Sequence, residues 1–222
     1  QETAGIKSTG TGGITVASGI SMNSASLITL ELHDSTTLTS SGNITNNNSV
    51  AVWVYGGNIN INGGTINAKY YGISKGPSST GNSTIKVTGG TLITNGNTSS
   101  APVFCGNNTS STCNVTISGG TFRSSGNAVS FQDTNSTYTI TGGVFEALGT
   151  ASAVQNSGTL TLGSGNSTSS AKRITIASYN GYAVANNSGT TNYNVGTYCY
   201  TGKSSSLSVP QPVYNNGTFN LR

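Results

Sequence analysis

Apolar and polar side chains alternate in short runs along most of this chain. Pairs of apolar residues stand two positions apart at Ile59/Ile61, Ile85/Val87, Val115/Ile117, Tyr138/Ile140, Leu160/Leu162, Tyr193/Val195 and Phe219/Leu221. A period of two is typical of a β-strand with one buried face. The spacing of three and four residues that marks an amphipathic helix does not recur. The pattern therefore predicts an all-β protein.

A second apolar column lies upstream of these pairs, in a register of its own. It consists of the dipeptides Ala51-Val52, Gly72-Ile73, Pro102-Val103, Ala128-Val129, Ala153-Val154, Ala183-Val184 and Pro212-Val213. A third apolar position follows downstream, at Ile66, Leu92, Phe122 and Phe145. Three buried positions in each repeat predict three strands per turn. Before the first complete repeat, one or two further turns are indicated by Ile14/Val16 and Leu30/Leu32.

A glycine pair separates the second strand of a repeat from the third. The phrase occurs four times, at intervals of 23 to 30 residues, and places the pairs at Gly63-Gly64, Gly89-Gly90, Gly119-Gly120 and Gly142-Gly143. Glycine adopts the positive φ that a sharp bend between strands requires. A repeat of this length buries its apolar face only by stacking on the next copy. Because the interval varies, we expect a single right-handed parallel β-helix of about eight to nine turns, whose corner loops lengthen while its strands stay in register.

No change of composition divides the chain, so we expect one domain over residues 1–222. Residues 1–20 are a candidate N-terminal cap. At the other end, the core strand Phe219 to Leu221 stops at Arg222, and we expect that end of the helix to be open. Coils stacked at roughly 4.8 Å would make a rod of about 40 Å. An open strand edge favours end-to-end self-association.

An asparagine column supports the predicted register. Asn156, Asn186 and Asn215 each stand two residues after an apolar residue of the upstream column and within three residues of a glycine. Stacked amides would form an internal hydrogen-bonded ladder that satisfies buried polar groups. Ordinary Asn-Gly turn chemistry explains the same residues equally well. Both interpretations predict the same coil.

Charge and composition exclude several classes of protein. Only 6% of the residues are charged, and the formal net charge is +4. The basic residues are scattered, with Lys172-Arg173 as the one adjacent pair, whereas nucleic-acid binding needs a clustered basic stripe. No apolar stretch of about 18 residues spans a membrane. Gln1 is not a start methionine, and we expect a removed secretion signal and an extracellular location.

Three cysteines are too few for a disulfide scaffold and do not make a zinc site. Cys105 and Cys113 flank a segment rich in Asn, Ser and Thr and share the inward parity of their strands. We expect a disulfide here that stabilises the protein by about 2 to 3 kcal/mol. Cys199 is left over as a small buried residue. We expect no metal and no cofactor.

The outward positions of the upstream strands carry aromatic residues. Trp53 lies between inward Val52 and Val54, and the same parity exposes Phe104 and, further down the rod, Tyr214. Aromatic rings flanked by hydroxyls and amides make a candidate surface for stacking sugar rings. The alternative is that a corner loop, 76–83 or 106–112, folds over them. Tyrosines at 70–71, 179–182 and 198–200 suit a contact surface or a partly buried edge.

Acidic residues are too dispersed for the usual polysaccharide chemistry. The five acids are Glu2, Glu31, Asp34, Asp133 and Glu146. Glycoside hydrolysis needs two carboxylates at a suitable separation, and calcium needs several oxygens. The one candidate constellation is Glu31, Asp34 and the single histidine, His33. We therefore predict that the protein is not an enzyme.

The phrases Ile-Ser-Gly-Gly-Thr-Phe and Ile-Thr-Gly-Gly-Val-Phe, followed by Gly-x-Ala-Val and Asn-Ser-Gly-Thr-Leu-Thr-Leu, resemble the degenerate repeats of pectin-lyase-like β-helix proteins on Gram-positive bacterial surfaces. The resemblance covers residues 42–222. That superfamily contains lyases, hydrolases, phage tailspikes and non-catalytic adhesins, so the resemblance implies an architecture more than an activity. Its lyases hold Ca²⁺ with several carboxylates on one sheet and its hydrolases use clustered Asp residues, and this chain departs from both patterns.

We therefore expect a non-catalytic extracellular rod that works as an adhesin, a stalk or a self-assembling filament subunit. Its expected partners are glycans, a host or cell-surface protein, or further copies of itself. The alternative is a carbohydrate-binding module that uses the Trp53 and Phe104 column, or one that cleaves polysaccharide near Glu31, His33 and Asp34.

Overall fold

The computed structural model describes residues 4–108, 110–163, 173–194, 197–201 and 212–221. All regular elements in these ranges are strands, numbered β1 to β24. Every pairing between them is parallel. The strands lie on three ladders, which we call A, B and C. The prediction of an all-β parallel β-helix with three strands per turn is confirmed.

Ladder A is a nine-stranded sheet. It contains β1 (Ala4–Ser8), β4 (Ile28–Leu32), β7 (Val50–Val54), β10 (Tyr71–Lys75), β13 (Ala101–Cys105), β15 (Val129–Phe131), β17 (Val154–Asn156), β20 (Val184–Asn186) and β23 (Val213–Asn215). The strands can be short because each coil contributes one strand, and the sheet grows from coil to coil.

Ladders B and C form one larger sheet that bends at the glycine corners. Ladder B contains β2 (Gly13–Val16), β5 (Thr37–Ser40), β8 (Gly57–Ile61), β11 (Ser83–Val87), the first parts of β14 (Cys113–Ser124) and β16 (Thr137–Ala147), β18 (Thr159–Leu162), β21 (Thr190–Tyr193) and β24 (Thr218–Leu221). Ladder C contains β3 (Ser21–Asn23), β6 (Asn43–Asn46), β9 (Thr65–Ala68), β12 (Thr91–Thr94), the second parts of β14 and β16, β19 (Ile174–Ser178) and β22 (Thr197–Thr201). The two ladders join because β14 and β16 continue through the corner and pair on both sides of it.

The ladder registers match the apolar columns of the sequence. In ladder A, Val52 pairs with Ile73 and Ile73 with Val103, and the column continues to Val213. In ladder C, Leu92 lies between Ile66 and Phe122. These side chains are buried in a core that runs along the stack, except Val213, which is partly buried against it, and each fully buried one contributes about 1.5–3 kcal/mol of transfer free energy.

One apolar pair of the sequence prediction is wrong by two residues. Leu160 pairs with Thr191 and Leu162 with Tyr193, so the pair in that coil is Thr191/Tyr193 and not Tyr193/Val195. Thr191 is fully buried, and its hydroxyl accepts a hydrogen bond from Asn156 Nδ2 at 3.2 Å. A polar residue at an inward position concealed the register. Val195 lies outside the described residues.

The glycines of the corners meet two requirements, positive φ and close approach between coils. Positive φ falls on the second one, with values of 72°, 90°, 102° and 117° at Gly64, Gly90, Gly120 and Gly143. Close approach to the preceding coil occurs at both positions: a methyl group at Gly119 would lie 2.5 Å from the carbonyl oxygen of Thr88, and one at Gly64 would lie closer still to that of Gly42, whereas the nearest such atoms at Gly63 are 4.0 Å away. A side chain at the second position would be strained, and one at Gly119 would push the two coils apart.

Residues 1–20, the candidate N-terminal cap, contain β1 of ladder A and β2 of ladder B, and β3 of ladder C follows directly. β1, β2 and β3 pair with β4, β5 and β6 respectively. Within the described residues, the last strand of ladder B is β24, which pairs with β21. Cys199 lies in β22, where its backbone pairs with that of Ile176.

The asparagine column forms a ladder in the interior. The Nδ2 of Asn156 donates to the Oδ1 of Asn186 at 3.0 Å, and the Nδ2 of Asn186 donates to the Oδ1 of Asn215 at 2.7 Å. Asn156 also exchanges hydrogen bonds with the backbone of Gly158, at 3.1 Å in both directions. The two interpretations of the column, a ladder and an Asn-Gly turn, therefore describe the same side chains.

A charged residue occupies the same inward column of ladder A. Lys75 is fully buried, and its Nζ donates to the Oγ of Ser111 at 2.7 Å. Ser111 belongs to the corner loop that the disulfide between Cys105 and Cys113 closes. Burial lowers the pKa of the Lys75 ammonium, and the negative charge of buried Asp133 partly opposes this.

Candidate functional site

The outward side chains of ladder A form one continuous column. From the first strand to the last, the column contains Lys7, Glu31, Trp53, Ser74, Phe104, Ser130, Gln155, Ala185 and Tyr214. The three aromatic residues selected from the sequence stand in this column. Because strands are spaced about 4.8 Å apart, Trp53 and Phe104 are about 10 Å apart, whereas Tyr214 lies about 19 Å away from Phe104.

Corner segments cover much of the first two rings. Trp53 is half-buried, and its indole N–H has no hydrogen-bond partner in the described part of the chain. A methyl group at Gly76 would lie 2.4 Å from the indole Cζ2, so the glycine lets the corner pack against the ring. The structure therefore favours the alternative interpretation at this site, in which the loop that begins at Gly76 lies against the aromatic column.

Neighbouring residues likewise pack against the ring of Phe104. Its ring stacks on Tyr71 with 4.6 Å between the centroids, and a methyl group at Gly106 would lie 3.1 Å from its Cε1. Burial raises the pKa of the Tyr71 phenol. Ser74, which stands between Trp53 and Phe104 in the outward column, is fully buried. Trp53 and Phe104 thus do not form an open stacking platform.

The candidate catalytic residues lie at the first coils. Glu31 is buried, and its Oε1 lies 2.6 Å from His33 Nε2 and 3.4 Å from Lys7 Nζ. His33 stacks on Tyr55 with 4.4 Å between the rings. The carboxylate of Asp34 accepts a hydrogen bond from the backbone N–H of Gly10 at 2.9 Å. Glu31 and His33 are therefore brought together, while Asp34 binds the preceding coil.

The remaining described acids lie elsewhere. Asp133 is buried and accepts a hydrogen bond from the Ser136 hydroxyl at 2.5 Å. Glu146 pairs with Arg123 at 3.4 Å on the outer face of ladder C. In the described ranges, no group of three or more His, Cys, Asp or Glu side chains is placed to hold a metal ion. Glu2 lies outside the described residues.

Tyr214 lines an open groove, which we call the tyrosine groove, at the corner between ladders C and A. Its volume is about 420 Å³. It is lined by two aromatic rings, Tyr182 and Tyr214, and by four side-chain amides, those of Asn127, Gln155, Asn180 and Asn187. The rings of Tyr182 and Tyr214 are 5.2 Å apart and tilted by 31°. Such a volume is within the range of about 300–1,000 Å³ that is typical of small-molecule sites.

Local chemistry explains why a groove forms at this corner. Ala185 stands in the outward column between Gln155 and Tyr214, and its small side chain leaves depth in the sheet face. The corner before β20 is fixed by Ser178, whose hydroxyl donates to Ala151 O and accepts from Gly181 N, both at 2.9 Å. Gly181 lies so close to Ala151 that no side chain fits there. These contacts position Tyr182 at the rim.

The groove offers amide groups beside its apolar surface. Among its described lining residues, no Asp, Glu, Lys, Arg or His is present. The amides retain hydrogen-bonding capacity: the side chains of Asn180 and Asn187 make no hydrogen bond within the described part of the chain. Sequence analysis identified Tyr214 and the tyrosine-rich stretch that contains Tyr182. It missed the four amides, because they come from three different coils.

Comparison with protein-family models, with curated proteins and with solved structures gives no match. In the described part of the chain, no helix is long and apolar enough to cross a membrane. Assignment of function therefore depends on the geometry of the β-helix and of its outer faces.

Proposed function

We propose that this protein is a non-catalytic β-helix rod that works outside the cell as an adhesin, of the pectin-lyase-like kind found on Gram-positive bacterial surfaces. The observation that carries the proposal is the unbroken register of ladder A over its nine strands. In such a stack each coil contacts only its neighbours, and every added coil extends the outer faces by about 4.8 Å. This architecture suits the display of a recognition surface at a distance from its attachment point.

The chemistry of the outer faces supports an extracellular role. The outward column of ladder B contains Thr15, Thr39, Asn60, Lys86, Thr116, Thr139, Thr161, Asn192 and Asn220. Hydroxyls and amides keep this face soluble with few charges. The disulfide between Cys105 and Cys113 also supports an extracellular location, because disulfides persist in oxidising compartments.

The contacts of the acids support a non-catalytic role. The described carboxylates are engaged in four separate places: Glu31 with His33 and Lys7, Asp34 with Gly10, Asp133 with Ser136, and Glu146 with Arg123. Hydrolysis of a glycosidic bond requires two carboxyl groups on opposite sides of one substrate. A role as a stalk or filament subunit is compatible with the same rod and differs in its partner, which would be another copy of the chain.

Bead adhesion tests the proposal. Beads coated with the folded full chain should adhere to bacterial or host cell surfaces, and beads coated with heat-unfolded chain should not. The soluble protein should release no new reducing ends from pectin, alginate or host glycans. Steady turnover of any of these polymers would overturn the non-catalytic proposal, and equal adhesion by folded and unfolded chains would overturn the adhesin. Concentration-dependent filaments in light scattering would instead support assembly.

The tyrosine groove favours a second candidate function, that of a carbohydrate-binding module. Unlike the column at Trp53 and Phe104, it leaves an aromatic ring accessible, since Tyr214 is 40% exposed. The two functions are compatible, because an adhesin recognises its target through such a site.

A further inference from the structure

We propose that the tyrosine groove binds a short neutral oligosaccharide, with one hexopyranose ring stacked on Tyr214 and its hydroxyls bonded to the surrounding amides. The inference rests on the proposed adhesin function and names the chemical class of its ligand.

The two tyrosines provide the apolar contact. Sugar rings present a face of C–H groups that packs on an aromatic ring, and tyrosine supplies such a face together with a polar tip. Tyr214 lines the groove and is 40% exposed. Tyr182 lies 5.2 Å from it at a tilt of 31°, so the pair forms an angled wall and not a flat stack. An angled wall contacts one sugar unit from two sides.

The amides provide the polar contacts. A side-chain amide both donates and accepts hydrogen bonds, as a sugar hydroxyl does. The amides of Asn180 and Asn187 make no hydrogen bond within the described part of the chain. Gln155 uses its Oε1 to accept from Ser130 at 2.9 Å, which orients its amide and leaves Nε2 to donate. Asn127 donates to Ser152 O at 2.7 Å and keeps Oδ1 as an acceptor.

The absence of formal charge among the described lining residues decides between classes of glycan. A uronate, sialate or sulfate group entering the groove would lose hydration without gaining a cationic partner, which is costly. An uncharged hexose loses only hydroxyl hydration, and the amides replace it. The groove thus favours neutral sugars over acidic ones.

Ala185 gives the most direct way to close the site. Its side chain forms the floor of the groove, on the outward face of β20. A larger side chain at this position points away from the core, so Ala185→Leu should fill the groove without disturbing the ladder. Tyr179 is a matched control, because it is 59% exposed nearby and does not line the groove.

Calorimetric titration of the full chain with mannohexaose, cellohexaose, laminarihexaose and an oligogalacturonide of equal length tests the inference. At least one neutral sugar should bind, and the oligogalacturonide should not. Tyr214→Ala should weaken binding by about tenfold, because a stacked ring contact is lost, and Tyr214→Phe should retain it. Ala185→Leu should abolish binding, while Tyr179→Ala should bind as the wild type does. Each variant is first shown to unfold at the wild-type temperature.

Three results would overturn the inference: no binding of any neutral hexasaccharide, equal binding of the oligogalacturonide, or unchanged binding by Ala185→Leu. Bead adhesion separates this failure from failure of the adhesin itself. If wild-type beads adhere and no neutral sugar binds, the ligand class is wrong and the adhesin stands. If wild-type beads do not adhere, the adhesin falls.

Discussion

Replacement of Lys75 by methionine is expected to stabilise the protein at neutral pH. The lysine is fully buried, and its three N–H donors meet only one good acceptor, the Ser111 hydroxyl at 2.7 Å, with Ser111 O further away at 3.5 Å. No carboxylate lies within ion-pair distance of it in the described part of the chain. Methionine has nearly the same length and volume and removes the buried charge.

The size of the effect follows from the contacts that remain. Ser111 stays bonded after the change, because its hydroxyl also donates to Ser79 O at 2.7 Å. Asp133 keeps the hydroxyl of Ser136 and the N–H of Asn135 and loses only a distant favourable charge. Replacing buried ionic groups with apolar ones of similar volume is neutral or stabilising by about 1–4 kcal/mol. We expect Lys75→Met to raise the free energy of unfolding by about 1–2 kcal/mol at pH 7.

This advantage should disappear at high pH. Burial lowers the pKa of Lys75 in the folded state below the ordinary value of 10.5 that it has in the unfolded chain. Between these two pKa values the unfolded state binds more protons, so the stability of the wild type rises with pH. Above 10.5 the lysine is neutral in both states and its penalty is gone. Titration of the tyrosines affects wild type and variant alike and cancels in the difference.

The assay is urea unfolding of wild type and Lys75→Met between pH 7 and pH 11, with exposed Lys86→Met as the control. The difference in unfolding free energy should be largest at pH 7 and shrink toward zero with rising pH, whereas the control should show no trend. A variant less stable than wild type at pH 7, or a difference independent of pH, would refute the reasoning about the buried ammonium.

Two further perturbations probe the interior. Asn186→Ala removes three donated hydrogen bonds, of 2.7 to 3.1 Å, and the Oδ1 that accepts from buried Asn156 Nδ2 at 3.0 Å, so we expect a loss of about 2–4 kcal/mol in urea unfolding; a loss no larger than that of exposed Asn216→Ala would contradict the ladder's role. Replacing Cys105 and Cys113 together by serine opens a loop with a sequence separation of 8 and should lower the free energy of unfolding by about 2–3 kcal/mol. If reductant destabilises this double variant as much as the wild type, the disulfide is not the cause.

Strand register was predictable from the sequence because alternation encodes it directly. An inward residue every second position is visible wherever it is apolar, as at Val52, Ile73 and Val103, and stacking then follows from the repeat. The same logic failed at Thr191, where a buried hydroxyl interrupts the apolar pattern. The sequence analysis also did not predict that Lys75 is buried, although its position two residues after inward Ile73 places it inside. A charge is tolerated there because the corner loop brings Ser111 over the ammonium, and loop packing has no period to detect.

The tyrosine groove was only half predictable for a related reason. Tyr214 belongs to the outward column and Tyr182 to a tyrosine-rich stretch, and both features are visible in the sequence. Asn127, Gln155 and Asn187, in contrast, line the same groove because three coils of unequal length stack with their corners aligned. No spacing along the chain expresses that alignment, since each corner segment differs in length from the next. Sequence identified the outward column correctly and could not say which of its aromatic residues stay accessible.

The contrast between the two halves of ladder A explains where its outer face is open. Both halves share one backbone geometry, so the difference lies in outward side-chain size and in the corner segments. At Trp53 and Phe104 the corners begin with Gly76 and Gly106, which pack onto the rings and close the face. At Tyr214 the neighbouring column position is Ala185, and the face stays open. We infer that one small outward residue beside a tyrosine is enough to open a groove on a β-helix, with no change in the ladders beneath it.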